Sequence, residues 1–185
     1  MDAKVALIGS GNPFFRDEGI GLYAGKYFKE NFTYAPALDI VDGGTLGFAL
    51  MPLLQEYAYV IIANTSSEGT RNVGTITVMK GEELLSHQGI KKTANEVEIT
   101  EMLQICSMAH HCAQVTMVSI VPEDILSVCV NVSPALRTHW ENYLQMIVQQ
   151  LAQCGITATP KNERMDLDAI IEQFANPSIE HGKGF

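Results

Sequence analysis

Short apolar segments that end in small residues place the strongest constraint on how this chain can fold. The first is KVALIGSGN at residues 4–12, and further strand-like segments lie at 38–45, 59–64 and 114–121. A near-continuous apolar run of this length is typical of a strand that is buried on both faces, as in a parallel sheet. These segments therefore predict a parallel sheet whose strands end in loops at a common edge.

Helical segments alternate with these strands. Residues 17–31 carry apolar side chains at helical spacing, and Asp17 and Glu18 suit a helix N-terminus. A further, more alternating strand is predicted at 74–80, and further helices at 46–56, 95–109, 133–153 and 166–175. Alternating strands and helices predict a three-layer α/β fold, a mostly parallel twisted sheet of about five strands with helices on both faces.

The chain is predicted to form one domain over residues 1–185. A chain of 185 residues is long enough for one substantial core, and the sequence shows no repeat, low-complexity tract or linker. Residues 157–185 are more polar than the chain before them, so we expect a C-terminal extension that is partly mobile.

Composition and charge argue against several classes of function. The formal net charge is −9, which disfavours nucleic acid or an anionic membrane as the main partner, because both favour Lys and Arg. No apolar run approaches the roughly 20 residues of a spanning helix, and the N-terminus carries no secretory pattern. Four cysteines in 185 residues are not a disulfide framework, so a reducing cytoplasm is the expected location.

The stretch GSGNPFFRDEGIG at 9–21 matches a dinucleotide-binding loop only in part. Phe14 stands where the third glycine is needed, and its ring would block both helix packing and the approach of a pyrophosphate. Nucleotide binding is therefore a distant alternative. The stretch does offer two carboxylates, Asp17 and Glu18, at the mouth of the predicted sheet. Helix capping explains one of them more readily than both.

Two other polar residues follow predicted strands. Asn64 ends the segment VIIAN, and Asp42 lies before the Gly-Gly pair of VDGGT. The residue just past a buried strand of an α/β sheet is a favoured place for chemistry. For Asp42 an Asx-type turn is an equally good explanation, because Asp before Gly is a strong turn signal.

Two further groups are weaker candidates. CSMAHHC at 106–112 holds two Cys and two His, but Cys106 and His110 fall on a helix end and no second pair completes a tetrahedral zinc set. We interpret the cysteines as buried hydrophobic residues. Ser66 and Ser67 lack a GxSxG elbow, which disfavours a serine hydrolase.

The ordered motifs ALIGSGNPFFRDEGIG, VDGGT, VIIAN and VSIVPEDI resemble those of the hydrogenase maturation proteases. The resemblance covers roughly residues 4–156, the family-like core. It implies a cytoplasmic α/β endopeptidase that recognises the nickel-loaded large-subunit precursor of a nickel–iron hydrogenase and removes a C-terminal extension. It also implies that the nickel belongs to the substrate and acts as the recognition element, with no metal or cofactor held permanently by the protease.

The resemblance further implies where the metal-facing residues lie. They fall on Glu18 in the first loop, on Asn64 after the third strand, and on Asn95 at the start of a later helix. Family members carry an Asp and a His at the last two positions. We expect the three residues to converge on one cleft at the carboxyl ends of the strands. A different alignment would bring His87 of SHQG to the site, at the expense of a longer insertion.

Two asparagines change the chemistry expected of such a site. Asn offers a neutral amide oxygen, whereas divalent nickel favours imidazole and carboxylate ligands. Glu18 is then the one strong metal ligand expected, and Glu18, Asp17 and Asp42 are the candidate catalytic carboxylates. Two functions stay open. One is a protease whose site is completed by Asp17, Asp42 or His87, and the other is a non-catalytic relative that binds the precursor as a chaperone or checkpoint.

Overall fold

The structure, a computed structural model, describes residues 4–45, 47–66, 71–86, 94–108 and 112–176, with only the backbone for 94–98. The strands are β1 (Val5–Ser10), β2 (Phe32–Ala35), β3 (Asp39–Gly44), β4 (Tyr59–Thr65), β5 (Ile76–Lys80), β6 (Gln114–Ile120) and β7 (Thr157–Pro160). The helices are α1 (Ile20–Asn31), α2 (Met51–Glu56), α3 (Gly81–Ser86), α4 (Ala94–Ser107), α5 (Pro134–Arg137), α6 (Trp140–Gln153) and α7 (Leu167–Ala175). Short 3-10 turns precede α1 and α2, at Arg16–Gly19 and Gly47–Leu50.

The central sheet has five strands in the order β3-β1-β4-β6-β5. β1, β3, β4 and β6 run parallel, and β5 pairs antiparallel with β6 at one edge. The predicted three-layer, mostly parallel sheet of about five strands is therefore confirmed. Because the carboxyl ends of parallel strands share one edge, the loops after β1, β3, β4 and β6 lie together there.

Two hydrophobic clusters cover the two faces of this sheet. Leu7 and Ile61 belong to the cluster beneath α1, α6 and α7, whereas Ile8 and Ile62 belong to the cluster beneath α2 and α4. Every residue of β1 is buried, and so is all of β4 except its first residue. Burial on both faces explains why these two segments are continuously apolar instead of alternating.

Helix α1 packs very close to the sheet because glycines occupy the contact. A Cβ atom on Gly21 would overlap the carbonyl oxygen of Ala63, and a Cβ atom on Gly9 would lie 2.5 Å from the carbonyl oxygen of Gly21. Gly11, at a φ of +145°, lies against the carbonyl group of Glu18. The glycines that suggested a dinucleotide loop thus serve close backbone packing.

The described part of the C-terminal extension packs against the core. β7 pairs antiparallel with β2 to form a second, two-stranded sheet. Asn31 donates from Nδ2 to the carbonyl oxygen of Met165 at 2.9 Å and accepts the Met165 amide at 2.7 Å. The ring of Phe174 on α7 meets Tyr23 edge-on, with 5.2 Å between centroids. The predicted short helix is confirmed as α7, and the tail EHGKGF at 180–185, which was predicted to be mobile, lies outside the described residues.

Several elements differ from the sequence prediction. The helix predicted over 133–153 is two helices, α5 and α6, separated at Thr138 and His139. β2, β7 and α3 are not predicted, because each has only four to six residues, too few for a periodic pattern to show.

The structure also shows the state of the cysteines and the character of the helices. All four cysteines are free thiols. Among the described residues, no helix combines the length and the apolar character needed to cross a membrane.

Replacing Gly21 by Ala tests the close packing of α1. The new Cβ meets backbone atoms of the central strands, so we expect the free energy of unfolding to fall by about 3 kcal/mol or more. Urea unfolding followed by circular dichroism measures the change. Gly81→Ala is the matched control, because the nearest atom to its Cβ is 3.7 Å away, and it should stay within about 0.5 kcal/mol of the wild type. Equal stability of the two variants would contradict the packing argument.

Candidate functional site

The carboxyl edge of the sheet brings several predicted site residues to one end of the molecule. Glu18 lies in the 3-10 turn Arg16–Gly19, Asn64 near the end of β4, and Asp42 near the end of β3. The turn lies against β4, which places Glu18 and Asn64 on neighbouring segments. Asn95 lies in the first turn of α4, and its side chain is outside the described residues.

Asn64 is a buried residue whose amide is half satisfied. It is 1% exposed, and its Oδ1 accepts a 2.6 Å hydrogen bond from Ser119 Oγ on the neighbouring strand β6. Its Nδ2 has no hydrogen-bond partner within the described part of the chain. A buried donor without a partner costs about 1–3 kcal/mol. The amide nitrogen of Asn64 is thus a buried donor near the end of β4 for which the described residues supply no acceptor.

A buried tyrosine fixes the backbone beneath Asn64. The Tyr143 hydroxyl lies 3.1 Å from the carbonyl oxygens of both Asn64 and Val118 and donates to this pair. Burial on α6 raises the pKa of Tyr143 well above its usual value, so the hydroxyl stays protonated. The tyrosine thus joins the ends of β4 and β6 from the side of α6.

Asn64 and Asp42 point to opposite faces of the sheet. Asn64 shares the face of Ile62, which packs in the cluster beneath α2 and α4. Asp42 lies on the face of α1, where it lines a small pocket together with Lys26. Its Oδ1 accepts the Gly44 amide at 3.0 Å, which is the Asx-type turn that the sequence suggested. Asn64 and Asp42 therefore lie at the same edge of the sheet but not in one cleft.

Asp17 is fully buried and accepts four hydrogen bonds. The amides of Glu123 and Asp124 donate to Oδ2, each at 2.9 Å. Ser133 donates its amide to Oδ1 at 2.7 Å and its hydroxyl to Oδ2 at 2.8 Å. Three of these bonds fall on Oδ2 and one on Oδ1, so protein donors hold both oxygens of the Asp17 side chain. The residue joins the first loop to the loop after β6, which is a structural role.

Further contacts hold the same two loops together. The Arg16 amide donates to the carbonyl oxygen of Cys129 at 3.0 Å, and the Cys129 amide donates to that of Phe14 at 2.9 Å. The Arg16 guanidinium pairs with Asp124 at 3.1 Å. Hydrogen bonds from Ser127, together with Arg16, hold the pKa of the Asp124 carboxyl well below its usual range. We call this set of contacts, with those of Asp17, the loop brace.

The described residues contain no cluster of metal-ligating side chains. Within the part of the chain that the structure describes, no three His, Cys, Asp or Glu side chains cluster closely enough to hold a metal ion. At the candidate site, Asn64 offers a neutral amide whose oxygen already accepts from Ser119. A metal ion carried by a substrate would therefore meet a weaker ligand at this position than a carboxylate.

The weaker candidates lie elsewhere or outside the described residues. Cys106 on α4 is 1% exposed, in agreement with its interpretation as a core residue, whereas Cys112 beside it is half-buried. Burial raises the pKa of both thiols. His87, His110 and Ser67 lie outside the described residues, so the alternative alignment through His87 stays a prediction.

The sequence alone did not indicate that β6 and the loop after it supply hydrogen-bond partners to Asn64 and Asp17 at this edge. Ser119 and Ser133 are single serines without a motif, so no local signal marks them. Asp17 and Glu123 are 106 positions apart in the chain, a separation at which spacing carries no information on contact. The segment VSIVPEDI, which contributed to the family resemblance, was the one available signal.

Comparison with solved structures defines the class of fold. The structure is similar to the hydrogenase maturating endopeptidase HybD of Escherichia coli, with a TM-score of 0.79 at 21% identity over 85% of this chain and 98% of that one. It is also similar to the [NiFe] hydrogenase maturation protease HybD of Thermococcus kodakarensis, with a TM-score of 0.61 at 16% identity over 80% of this chain and 98% of that one. The three-layer fold is thus that of the maturation endopeptidases.

Sequence comparison then shows the family. The family described as HycI, hydrogenase maturation protease, matches residues 22–150. The hydrogenase 2 maturation protease of Escherichia coli (strain K12) is 22% identical over 159 residues, 85% of this chain and 96% of that protein. The hydrogenase expression/formation protein HupD of Rhodobacter capsulatus is 22% identical over 182 residues, 97% of this chain and 86% of that protein. The chain belongs to the hydrogenase maturation protease family.

Replacing Asp17 by Asn tests the structural role assigned to the loop brace. The amide is nearly isosteric, but its NH₂ group would face donors that now bind a carboxylate oxygen, so we expect a loss of about 3 kcal/mol in the free energy of unfolding. Urea unfolding measures it. Asp42→Asn is the control, because this exposed residue accepts one amide hydrogen bond and should change stability by about 0.5 kcal/mol or less. An Asp17→Asn variant as stable as the wild type would show that the brace is dispensable.

Proposed function

We propose that this protein is a cytoplasmic endopeptidase that acts on the C-terminal region of a hydrogenase large-subunit precursor. The observation that carries the proposal is the family match across residues 22–150. The fold supports it, since the 3-10 turn that holds Glu18 lies against β4 at the carboxyl edge, where α/β proteins place their sites. Four free thiols favour a reducing compartment.

Glu18 is the carboxylate that we assign to this activity. It is half-buried in the 3-10 turn at the edge of the sheet. Asp17, its neighbour, accepts four hydrogen bonds within the loop brace and is buried away from solvent. Asp42 lies on the opposite face of the sheet from Asn64 and forms its own turn. We therefore assign the chemistry of the site to Glu18, because of its place at the carboxyl edge of the sheet beside β4.

We further propose that this protein holds no metal of its own and that the nickel of the substrate serves as the recognition element. Glu18 would face that ion, with Asn64 at the end of the adjacent strand. The neutral amide of Asn64, already bonded to Ser119, favours a second candidate function. In this second function the protein binds the precursor as an assembly chaperone or checkpoint and does not cut it.

Incubation with a nickel-loaded large-subunit precursor tests the proposal. We expect a C-terminally shortened subunit by mass spectrometry, and a rate of cleavage lowered about 100-fold or more in Glu18→Gln, because this variant removes the proposed carboxylate. Asp42→Asn should retain the wild-type rate.

The outcomes separate the two functions. A stable complex with an unshortened precursor on gel filtration would identify the chaperone function in place of the peptidase. Absence of both cleavage and complex formation would contradict the proposal as a whole.

A further inference from the structure

Exposed apolar side chains concentrate at the carboxyl edge of the sheet. Among the described residues, eight large hydrophobic side chains are exposed, and six of them lie on loops or turns at this edge: Phe14, Phe15, Phe48, Val73, Leu126 and Val128. The other two, Ile105 and Met108, lie at the far end of α4. Single exposed apolar residues are common on protein surfaces, whereas a group of them beside a functional site marks an interaction surface.

Four of these residues belong to two loops that are joined by backbone hydrogen bonds. Phe14 and Phe15 follow β1, and Leu126 and Val128 follow β6, with exposures of 60%, 36%, 85% and 79%. Phe15 forms a parallel bridge with Cys129, which aligns the two loops side by side. We call these four residues the apolar patch.

The loop brace holds the apolar patch in a fixed arrangement. Asp17 ties the amides of Glu123 and Asp124 to the first loop, at positions close in sequence to all four patch residues. The Asp124 side chain in turn accepts a hydrogen bond from the Leu126 amide at 3.0 Å, which fixes the backbone at the exposed leucine. A surface that is ordered before binding loses less conformational entropy when a partner docks. Exposed apolar side chains on a hydrogen-bonded backbone therefore suit recognition.

The charge around the apolar patch is negative. Arg16 is neutralised by its ion pair with Asp124, whereas Glu123 is exposed beside the patch. The whole chain has a formal net charge of −9. A partner that complements this surface combines apolar side chains with basic ones.

The apolar patch is continuous with the candidate site. The Phe15 carbonyl oxygen accepts the Glu18 amide at 2.9 Å, so patch and carboxylate lie on one turn of chain. We propose that the apolar patch is the docking surface for an apolar, basic segment of the large-subunit precursor, which it seats beside Glu18. This inference rests on the function proposed above and adds the surface that binds the substrate chain and the chemistry of the segment it takes.

The double variant Leu126→Ser/Val128→Ser tests the inference. Both side chains project into solvent, so the variant should fold with an unchanged melting temperature. We expect its dissociation constant for the nickel-loaded precursor, measured by biolayer interferometry, to rise about tenfold or more, because two apolar contacts are lost. Ile105→Ser/Met108→Ser is the matched control, since it removes two exposed apolar side chains at the other end of the molecule and should bind as the wild type does.

Each further result of this experiment has a defined meaning. If the wild type and the patch variant bind the precursor equally, the docking surface is wrong while the proposed function stands. If the wild type neither binds nor cleaves the precursor, the proposed function fails and the inference fails with it. If light scattering shows a wild-type dimer that the patch variant abolishes, the apolar patch joins two copies of this chain, which also overturns the inference. Phe14→Ser provides a second, independent variant of the patch.

Discussion

The carboxylate of Asp17 connects the loop after β1 with the loop after β6, and the candidate site depends on this connection. It accepts two amides and two groups of Ser133, at distances of 2.7–2.9 Å, from a position with no solvent exposure. A buried charge is tolerated only where such donors replace water. The connection continues into α5, because Ser133 Oγ accepts the Leu136 amide at 3.2 Å and caps this helix. One side chain thus fixes the turn of Glu18, the loop after β6 and the start of the next helix.

Burial gives two adjacent acidic residues different roles. Asp17 is surrounded by donors and holds the structure, whereas Glu18, one position later, is half-buried at the edge of the sheet. The close approach of α1 to the sheet, permitted by Gly9 and Gly21, sets how near this turn lies to β4 and to Asn64. The candidate site therefore depends on close backbone packing and on the hydrogen bonds of Asp17, which together position Glu18 and Asn64.

Much of the fold follows from local pattern in the sequence. The buried segments at β1 and β4 are continuously apolar because both faces are covered, and this signal predicted the parallel sheet correctly. The edge at which Glu18 and Asn64 lie could also be predicted, because it depends only on strand direction. The ordered motifs indicated the family, which the match over residues 22–150 confirms.

What the sequence did not reveal depends on contacts between distant residues. The spacing of Asp17 and Ser133, 116 positions apart, says nothing about their hydrogen bonds, so the sequence leaves Asp17 among the candidate catalytic carboxylates. The face on which Asp42 lies depends on the exact register of β3 against β1, which hydrophobic pattern does not fix in a strand this exposed. The strands β2 and β7 stabilise each other across the chain and carry only four residues each.

We propose that this protein recognises the hydrogenase precursor at the carboxyl edge of the sheet, through the loop brace and the apolar patch. Amide hydrogen exchange of the protein with and without a nickel-loaded precursor tests it most directly. We expect slower exchange in the complex at residues 12–18 and 122–131, and unchanged exchange at 105–108. Protection confined to the end of α4, with the carboxyl-edge loops exchanging as in the free protein, would contradict it.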